Sequence, residues 1–127
     1  MADYLVDTDI LIWVLRGRAE SVSLLERLVA DGGGPPSCSS LSVLEVMVGM
    51  RPGEAARTGD LMDNLEVLPV DSRVARVGAR LLARSRAGNP REWIDALIAA
   101  TAMIHERVLV TYNKRHYPYP EVKVINE

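Results

Sequence analysis

Two carboxylates lie in an otherwise apolar segment near the start of the chain. Asp7 and Asp9 follow Tyr4-Leu-Val and precede Ile-Leu-Ile-Trp-Val, where burial alone favours Val or Leu. Asp7 fits a turn or cap as well as it fits a cation ligand, because an ionised carboxylate accepts hydrogen bonds in either role. Asp9 fits the start of the helix that follows, as a cap or as a supporting hydrogen-bond acceptor. The residue types indicate carboxylate chemistry and leave its form open.

Two further acids and an amide occur in similar surroundings. Glu45 has apolar neighbours, although Ser42-x-x-Glu45 also matches a helix capping box. Asp95 lies about one and a half turns inside a helix that is apolar nearly all round, beyond capping reach. Arg91, four residues earlier, offers Asp95 a simple ion pair as the alternative role. Asn113 follows an apolar strand and also fits a turn.

The elements that must position these side chains alternate between strands and helices. Predicted strands cover residues 4–6, 37–41, 67–70, 108–110 and 122–125; predicted helices cover 8–16, 22–30, 42–50, 55–65, 72–87 (closed by Gly88) and 90–105. This alternation predicts an α/β fold with a central, mainly parallel sheet of four or five short strands and helices on both faces. In such sheets ligands bind beyond the carboxyl ends of the strands, where Asp7 and Asn113 lie.

The four oxygen-bearing side chains are more informative together than singly. Two carboxylates about 4 Å apart repel by roughly 4 kcal/mol at an effective dielectric near 20. A fold that gathers several of them needs a cation or shared protons. Ligands that offer only oxygen select a hard cation such as Mg²⁺ or Mn²⁺, and the absence of CxxC and HExxH argues against zinc.

Four segments carry a resemblance to a known family. The chain resembles a PIN (PilT N-terminus) domain of the VapC toxin type over essentially its whole length. The segments are Tyr4-Leu-Val-Asp-Thr-Asp-Ile-Leu-Ile12, Ser42-Val-Leu-Glu45, Asp95-Ala-Leu-Ile-Ala-Ala-Thr-Ala102 and Leu109-Val-Thr-Tyr-Asn113-Lys-Arg-His-Tyr117. Each motif is weak alone, but their order and spacing are specific. The resemblance implies a three-layer PIN-like fold and a single domain over residues 1–127.

The resemblance also implies roles for individual residues. The implied catalytic set is Asp7, Glu45, Asp95 and Asn113, and the implied supporting set is Thr8, Asp9 and Thr111. Asp7 and Asp95 are the expected ligands of Mg²⁺, for which Mn²⁺ is the expected substitute, and Glu45 binds it directly or through a water. Asn113 stands at a position often held by Asp, which removes one negative charge and weakens the case for a second firmly bound metal.

The implied function is a metal-dependent endoribonuclease, the toxin of a VapBC-type toxin–antitoxin pair. By resemblance, Mg²⁺ polarises the scissile phosphate and activates a water that attacks in line, leaving a 5′-phosphate and a 3′-hydroxyl. The implied partners are RNA, a VapB-like antitoxin and a second copy of the toxin. Trp13, Met47 and Met50 are candidates for an adaptable partner groove, and plain core packing is their alternative role.

One helical stripe of arginines is a candidate for contact with RNA. Arg73, Arg76, Arg80 and Arg84 are spaced by three, four and four residues, so they share a helix face. A solvated face or the acidic residues of a partner would explain them equally well. No acid lies at matching spacing within the helix to offset the mutual repulsion of these arginines. The phosphates of a bound RNA would offset it.

Other functions explain fewer of these residues. A metal-free ribonuclease would need His105 and His116 as acid and base, but His105 fits the end of a helix. A receiver-type phosphoacceptor domain, with Asp71 as a candidate acceptor, leaves Glu45 and Asp95 unexplained. A haloacid dehalogenase phosphatase expects Thr or Val at the position of Leu11. A catalytically inactive PIN-like binding scaffold remains an alternative that the intact acids argue against.

Composition limits the remaining possibilities. The chain has 127 residues, of which 48% are hydrophobic and 25% charged, which is typical of one globular domain. Its single cysteine, Cys38, cannot form an intramolecular disulfide and is expected to be a small buried hydrophobe. No signal peptide or membrane span is evident, so a cytoplasmic location with no membrane partner is expected. A net charge of −2 argues against a nonspecific nucleic-acid coat.

Overall fold

The five strands found in the described residues lie in one parallel sheet. A computed structural model describes residues 3–84 and 89–127. The strands are β1 (Tyr4–Val6), β2 (Ser37–Ser39), β3 (Glu66–Leu68), β4 (Val108–Thr111) and β5 (Val124–Asn126). Their order across the sheet is β3-β2-β1-β4-β5, with every neighbouring pair parallel. The carboxyl ends of the strands therefore meet at one edge, and β1 and β4 are adjacent near the middle.

In the described part of the chain, six α-helices connect the strands. They are α1 (Thr8–Leu15), α2 (Ala19–Gly32), α3 (Ser40–Val48), α4 (Ala55–Asp63), α5 (Ser72–Leu82) and α6 (Pro90–Ile104), and a short 3₁₀ turn spans Lys114–His116. The predicted start of α6 is confirmed: Asn89 caps it by accepting from the Glu92 backbone N–H at 3.0 Å, and Pro90 takes the first helical position. No helix within the described residues is long and apolar enough to cross a membrane.

The sheet separates two hydrophobic cores, which confirms the predicted three layers. Leu5 and Leu109 pack into one core together with residues of α5 and α6. Val6 and Val110, the next residues along the same strands, pack into the other core against α1, α2 and α3. This alternation follows from the strand, whose successive side chains point to opposite faces. Cys38 is buried in the second core, as predicted.

Several predicted boundaries are wrong in ways that affect the site. The predicted cap role of Asp9 is wrong, because Asp7 is the N-cap of α1, a role that the sequence left open for it, and its side chain accepts from the Thr8 backbone N–H. Helix α3 begins at Ser40 and is capped by Ser39, so the interpretation of Ser42 as the start of a capping box is wrong. The cause is the same at both places, since each short strand passes directly into its helix.

The predicted end of the fifth helix also differs from the structure. Helix α5 begins at Ser72, as predicted, is capped by the Asp71 side chain, and ends at Leu82. The sequence predicted continuation to Ala87 and closure by Gly88, and both residues lie outside the described part of the chain.

Candidate carboxylate site

Asp7 lies at the point where β1 ends and α1 begins, and it is buried. Its Oδ1 accepts from the Thr8 backbone N–H at 2.7 Å. Its Oδ2 accepts two hydroxyl hydrogen bonds, from Thr111 at 2.8 Å and from Tyr117 at 2.8 Å. Burial raises the pKa of Asp7 above its ordinary value, nearby Asp9 raises it further, and the three hydrogen bonds oppose that rise. These contacts hold the carboxylate of Asp7 in one orientation.

Asp9 supports the loop that leaves β4. Its Oδ2 accepts from the Asn113 side-chain amide at 2.8 Å and from the Tyr112 backbone N–H at 3.1 Å. The Thr111 hydroxyl lies 3.4 Å from the same oxygen, so Thr111 connects the two aspartates. The structure thus places Asn113 against Asp9, while Thr111 reaches Asp7 itself. Thr111 therefore contacts Asp7 directly, and Asp9 holds the loop that carries Asn113.

Glu45 joins this cluster through Thr8. The Thr8 hydroxyl lies 2.8 Å from Ser42 Oγ and 2.8 Å from Glu45 Oε1, and its single proton satisfies one of these acceptors at a time. Ser42 is buried within α3, and its hydroxyl faces that of Thr8. Glu45 therefore reaches across to α1 instead of back to the start of its own helix.

Asp95 is the most deeply buried acid of the cluster after Asp7. Its residue is 3% exposed, and in the described part of the chain its Oδ1 has no hydrogen-bond partner. Burial raises the pKa of Asp95 to about 7; Arg91 opposes the rise, while the charges of Asp7 and Glu45 add to it. A carboxylate that is buried, incompletely paired and close to other acids has unused capacity for a proton or a cation.

Arg91 bridges the two acids that face it. Its Nη1 donates to Glu45 Oε2 at 2.7 Å, and its Nη2 lies 3.4 Å from Asp95 Oδ1. The ion pair with Asp95 was the simple alternative in the sequence, and the structure contains it. The contact with Glu45 was not predicted, because residues 46 positions apart show no spacing signal. The guanidinium thus stands where the negative charges converge.

The donor set fits a hard divalent cation in its chemistry. Asp7, Glu45 and Asp95 offer only oxygen, and the incompletely paired Oδ1 of Asp95 is the observation that favours a cation there. Within residues 3–84 and 89–127, however, no group of three or more His, Cys, Asp or Glu side chains is arranged as a ready metal site. In this arrangement Arg91 supplies the positive charge.

The residue types did not predict two contacts of the acid cluster. Tyr117 is buried, and its hydrogen bond to Asp7 gave no signal beyond its place in the last motif. His116 brings its Nδ1 to 3.9 Å from Asp95 Oδ2. His105 caps the far end of α6, ten residues or about 15 Å from Asp95, so the two histidines do not share a site.

The four arginines proposed for RNA contact lie on α5 or directly after it. All four are exposed. Arg84 forms a two-pronged ion pair with Glu121, so its charge is offset by an acid from outside the helix. Arg73, Arg76 and Arg80 have no hydrogen bond or ion pair to the described residues. The stripe is therefore three unpaired cations and one paired one.

Comparison with known proteins agrees with this architecture. Residues 4–122 match the PIN domain family. Ribonuclease VapC19 of Mycobacterium tuberculosis is 33% identical over 121 residues, covering 94% of this chain and 96% of that protein. Ribonuclease VapC10 of the same organism is 35% identical over 115 residues, covering 90% and 85%. A chain of a toxin–antitoxin complex from Klebsiella pneumoniae superposes with a TM-score of 0.81 at 26% identity, covering 98% and 97%.

Proposed function

Because this chain belongs to the PIN domain family, we propose that it is a metal-dependent endoribonuclease, the toxin of a VapBC-type toxin–antitoxin pair acting in the cytoplasm. Two ribonucleases that share a third of its sequence over nearly the whole length support this function. The observation that carries it is the connected acid cluster, in which Thr8 links Asp7 to Glu45 and Arg91 links Glu45 to Asp95.

Different residues of the acid cluster would bind the metal and orient its ligands. Asp7 and Asp95 would hold Mg²⁺ or Mn²⁺, with Glu45 binding directly or through a water. When bound, the ion would polarise the scissile phosphate and increase the acidity of a water. Thr111 and Tyr117 orient Asp7, and Asp9 holds Asn113 and the loop after β4 in place. Arg91 has to give up contacts to Glu45 and Asp95 for the acids to serve as ligands together.

Cleavage of a mixed-sequence RNA by the purified protein tests the proposal. We expect cleavage in Mg²⁺ and none in EDTA, and we expect Asp95→Asn to lower it by about 100-fold or more. The matched control is Asp60→Asn, which changes an exposed acid of α4 outside the cluster. Cleavage that persists in EDTA excludes the metal, whereas a folded wild-type protein that binds RNA without cutting it supports the inactive-scaffold alternative.

The identity of the RNA is a separate question. Mapping 5′ ends in total cellular RNA after brief induction, with Asp7→Ala as the inactive reference, identifies both the substrate and the cleavage sequence. New 5′ ends should appear only with the wild-type protein. Ends that appear equally with both proteins arise from the stress of expression.

Exposed apolar side chains on α1 and α3 support an antitoxin partner. Trp13 is 44% exposed, Met47 is 50% exposed and Met50 is 37% exposed, so plain core packing does not explain these residues. Val48 on the same helix as Met47 is 78% exposed. We propose that a small VapB-like protein covers this surface and that the toxin also forms a homodimer, as light scattering will test.

Co-expression with the adjacent small reading frame tests the partner. A stable complex should form and should inhibit RNA cleavage. Met47→Lys should weaken it, whereas Ile125→Lys, an equal change at an exposed position of β5, should not. If no such protein copurifies or inhibits, the antitoxin proposal fails and the nuclease proposal remains.

A further inference from the structure

A cavity of about 350 Å³ opens beside the acid cluster, between the start of α6 and the segment that follows the 3₁₀ turn. Its lining includes Asp95, Arg91, Arg115, Pro118 and Tyr119. We call it the Arg115 cavity. Its volume is at the small end of ligand pockets, which span roughly 300–1,000 Å³. Because Asp95 belongs to both the acid cluster and this lining, a ligand in the cavity lies directly beside the site of reaction.

The two guanidinium groups on the cavity differ in the charge that they leave available. Arg91 is shared between Glu45 and Asp95, so its charge is already offset. Arg115 is exposed and, among the described residues, has no hydrogen bond or ion pair. An unpaired guanidinium at the rim of a cavity attracts an anion, and its planar fork matches the oxygens of a phosphate.

The remaining wall of the Arg115 cavity is polar at Asn89, Glu92 and His116, and it is apolar or aromatic at Pro118 and Tyr119. Pro118 is exposed and Tyr119 is buried beneath the same segment. A cation at the rim and an apolar or aromatic wall below it are the two features with which proteins bind single-stranded nucleic acid, one for the backbone and one for the base or sugar. An inorganic anion would use only the first of them, whereas a nucleotide uses both.

We propose that the Arg115 cavity binds the nucleotide next to the scissile phosphate of a single-stranded RNA, with the flanking phosphate on Arg115. This inference rests on the proposed function, because Asp95 defines which phosphate is adjacent. It assigns Arg115 to substrate binding and separates this contact from the arginines of α5, none of which lines the cavity. The cavity thus positions the strand, and the acid cluster acts on it.

Direct binding measurements test the contact without reliance on cleavage. The probe is a fluorescein-labelled, single-stranded RNA of about twelve nucleotides, followed by anisotropy in EDTA over a range of salt concentrations. Arg115→Gln should weaken binding about tenfold, the loss of one charged hydrogen-bonding contact. It should also reduce the slope of log affinity against log salt by about 0.7, the value for one phosphate on a single strand.

The neighbouring residue provides a matched control. Lys114 is an exposed cation in the same 3₁₀ turn. It lines a neighbouring depression that Arg115 also borders, but it does not line the Arg115 cavity, so Lys114→Gln removes the same charge outside that cavity. This variant should bind RNA within twofold of the wild-type protein. Equal losses in the two variants overturn the proposal, because they make Arg115 one member of a diffuse basic surface.

Kinetics in Mg²⁺ distinguish this proposal from the function on which it rests. Arg115→Gln should raise KM and leave kcat close to the wild-type value, since the acids are untouched. An unchanged KM overturns the cavity assignment while wild-type cleavage still stands. A wild-type protein that never cleaves RNA overturns the proposed nuclease, and the assignment of the cavity to a cleavage site with it.

Discussion

The Tyr117 hydroxyl donates a 2.8 Å hydrogen bond to Oδ2 of Asp7, across 110 positions of sequence. Both residues are buried, and Thr111 donates to the same oxygen from the end of β4. Burial raises the pKa of Tyr117, with the charge of Asp7 adding to the rise, so the hydroxyl remains a donor at any ordinary pH. The orientation of Asp7 is thus set from the opposite end of the chain.

Tyr117→Phe should raise the Mg²⁺ concentration that cleavage requires while the protein remains folded. The substitution removes one donor from a buried carboxylate, which costs roughly 1–3 kcal/mol of stability. We expect the Mg²⁺ concentration for half-maximal cleavage to rise several-fold, because Asp7 loses one restraint on its orientation. The control is Tyr112→Phe, which removes a 2.6 Å hydrogen bond between the Tyr112 hydroxyl and Ser21. That hydrogen bond does not involve Asp7. If both variants require the same Mg²⁺ concentration, Tyr117 is structural only.

Arg91→Gln should raise the affinity for a divalent metal and lower the stability of the metal-free protein. The guanidinium occupies Glu45 and Asp95, so it competes with a cation for both acids. Calorimetric titration of the RNA-free protein should show tighter Mn²⁺ binding in the variant, whereas unfolding in EDTA should show lower stability because the acids lose their counter-charge.

Arg107→Gln is the control for Arg91. Arg107 also approaches two acids, Asp3 and Glu66, which lie outside the acid cluster. This variant should lose stability without any change in Mn²⁺ affinity. Weaker Mn²⁺ binding in Arg91→Gln than in the wild-type protein contradicts the competition.

Asp95 should make the metal-free protein less stable as the pH rises. Its folded-state pKa is about 7, above the value of 3.8 for an unperturbed Asp. The unfolded chain therefore loses its proton first, and the folded state loses stability progressively from about pH 4 to pH 7, with the full penalty above that range. Asp95→Asn removes the penalty, so its stability advantage over the wild-type protein in EDTA should grow from pH 4 to pH 8 by up to a few kcal/mol.

Urea unfolding at the two pH values provides the measurement. Asp60→Asn, at an exposed position, should show a nearly constant difference from the wild-type protein. If the stability difference between Asp95→Asn and the wild-type protein does not change with pH, the pKa of Asp95 is not raised by burial.

The arginine stripe of α5 makes a prediction about RNA affinity that does not depend on the Arg115 cavity. If Arg76 and Arg80 contact the RNA backbone, replacing both by Gln should weaken binding uniformly across sequences and flatten the salt dependence. Turnover at saturating RNA should persist, because the acids are unchanged. The double variant Arg27→Gln, Arg57→Gln removes two exposed arginines elsewhere as a control. If the stripe variant binds RNA with unchanged affinity, the stripe is only a solvated helix face.

The layout of the fold followed from the sequence because each strand and helix carries its own periodic signal. Leu5 and Val6 are both apolar, as expected of a strand buried on both faces, and Asn89-Pro90 marks the start of α6. The start of α3 was misplaced by two residues, because Ser39 both ends β2 and caps the helix that follows.

The site was predictable only as far as its acids. Asp7, Glu45 and Asp95 stand out because a charge among apolar residues needs an explanation. Their partners do not stand out, because a tyrosine such as Tyr117 is ordinary in a core and an arginine such as Arg91 is ordinary on a helix. Contacts across 46 or 110 positions depend on packing, which a single sequence does not display.

The place of β4 between β1 and β5 has a consequence for when the acid cluster can assemble during synthesis. Asp7 is made early, but its hydroxyl donors Thr111 and Tyr117 emerge more than a hundred residues later. At about 5–20 residues per second, a growing chain carries Asp7 for roughly 5–20 seconds before Thr111 is made, and it carries Asp7, Glu45 and Asp95 together for only about 1–3 seconds before β4 is complete. A prematurely terminated chain that ends before residue 108 lacks this strand altogether. The two hydroxyl hydrogen bonds that orient Asp7 therefore cannot both form until residue 117 has been made.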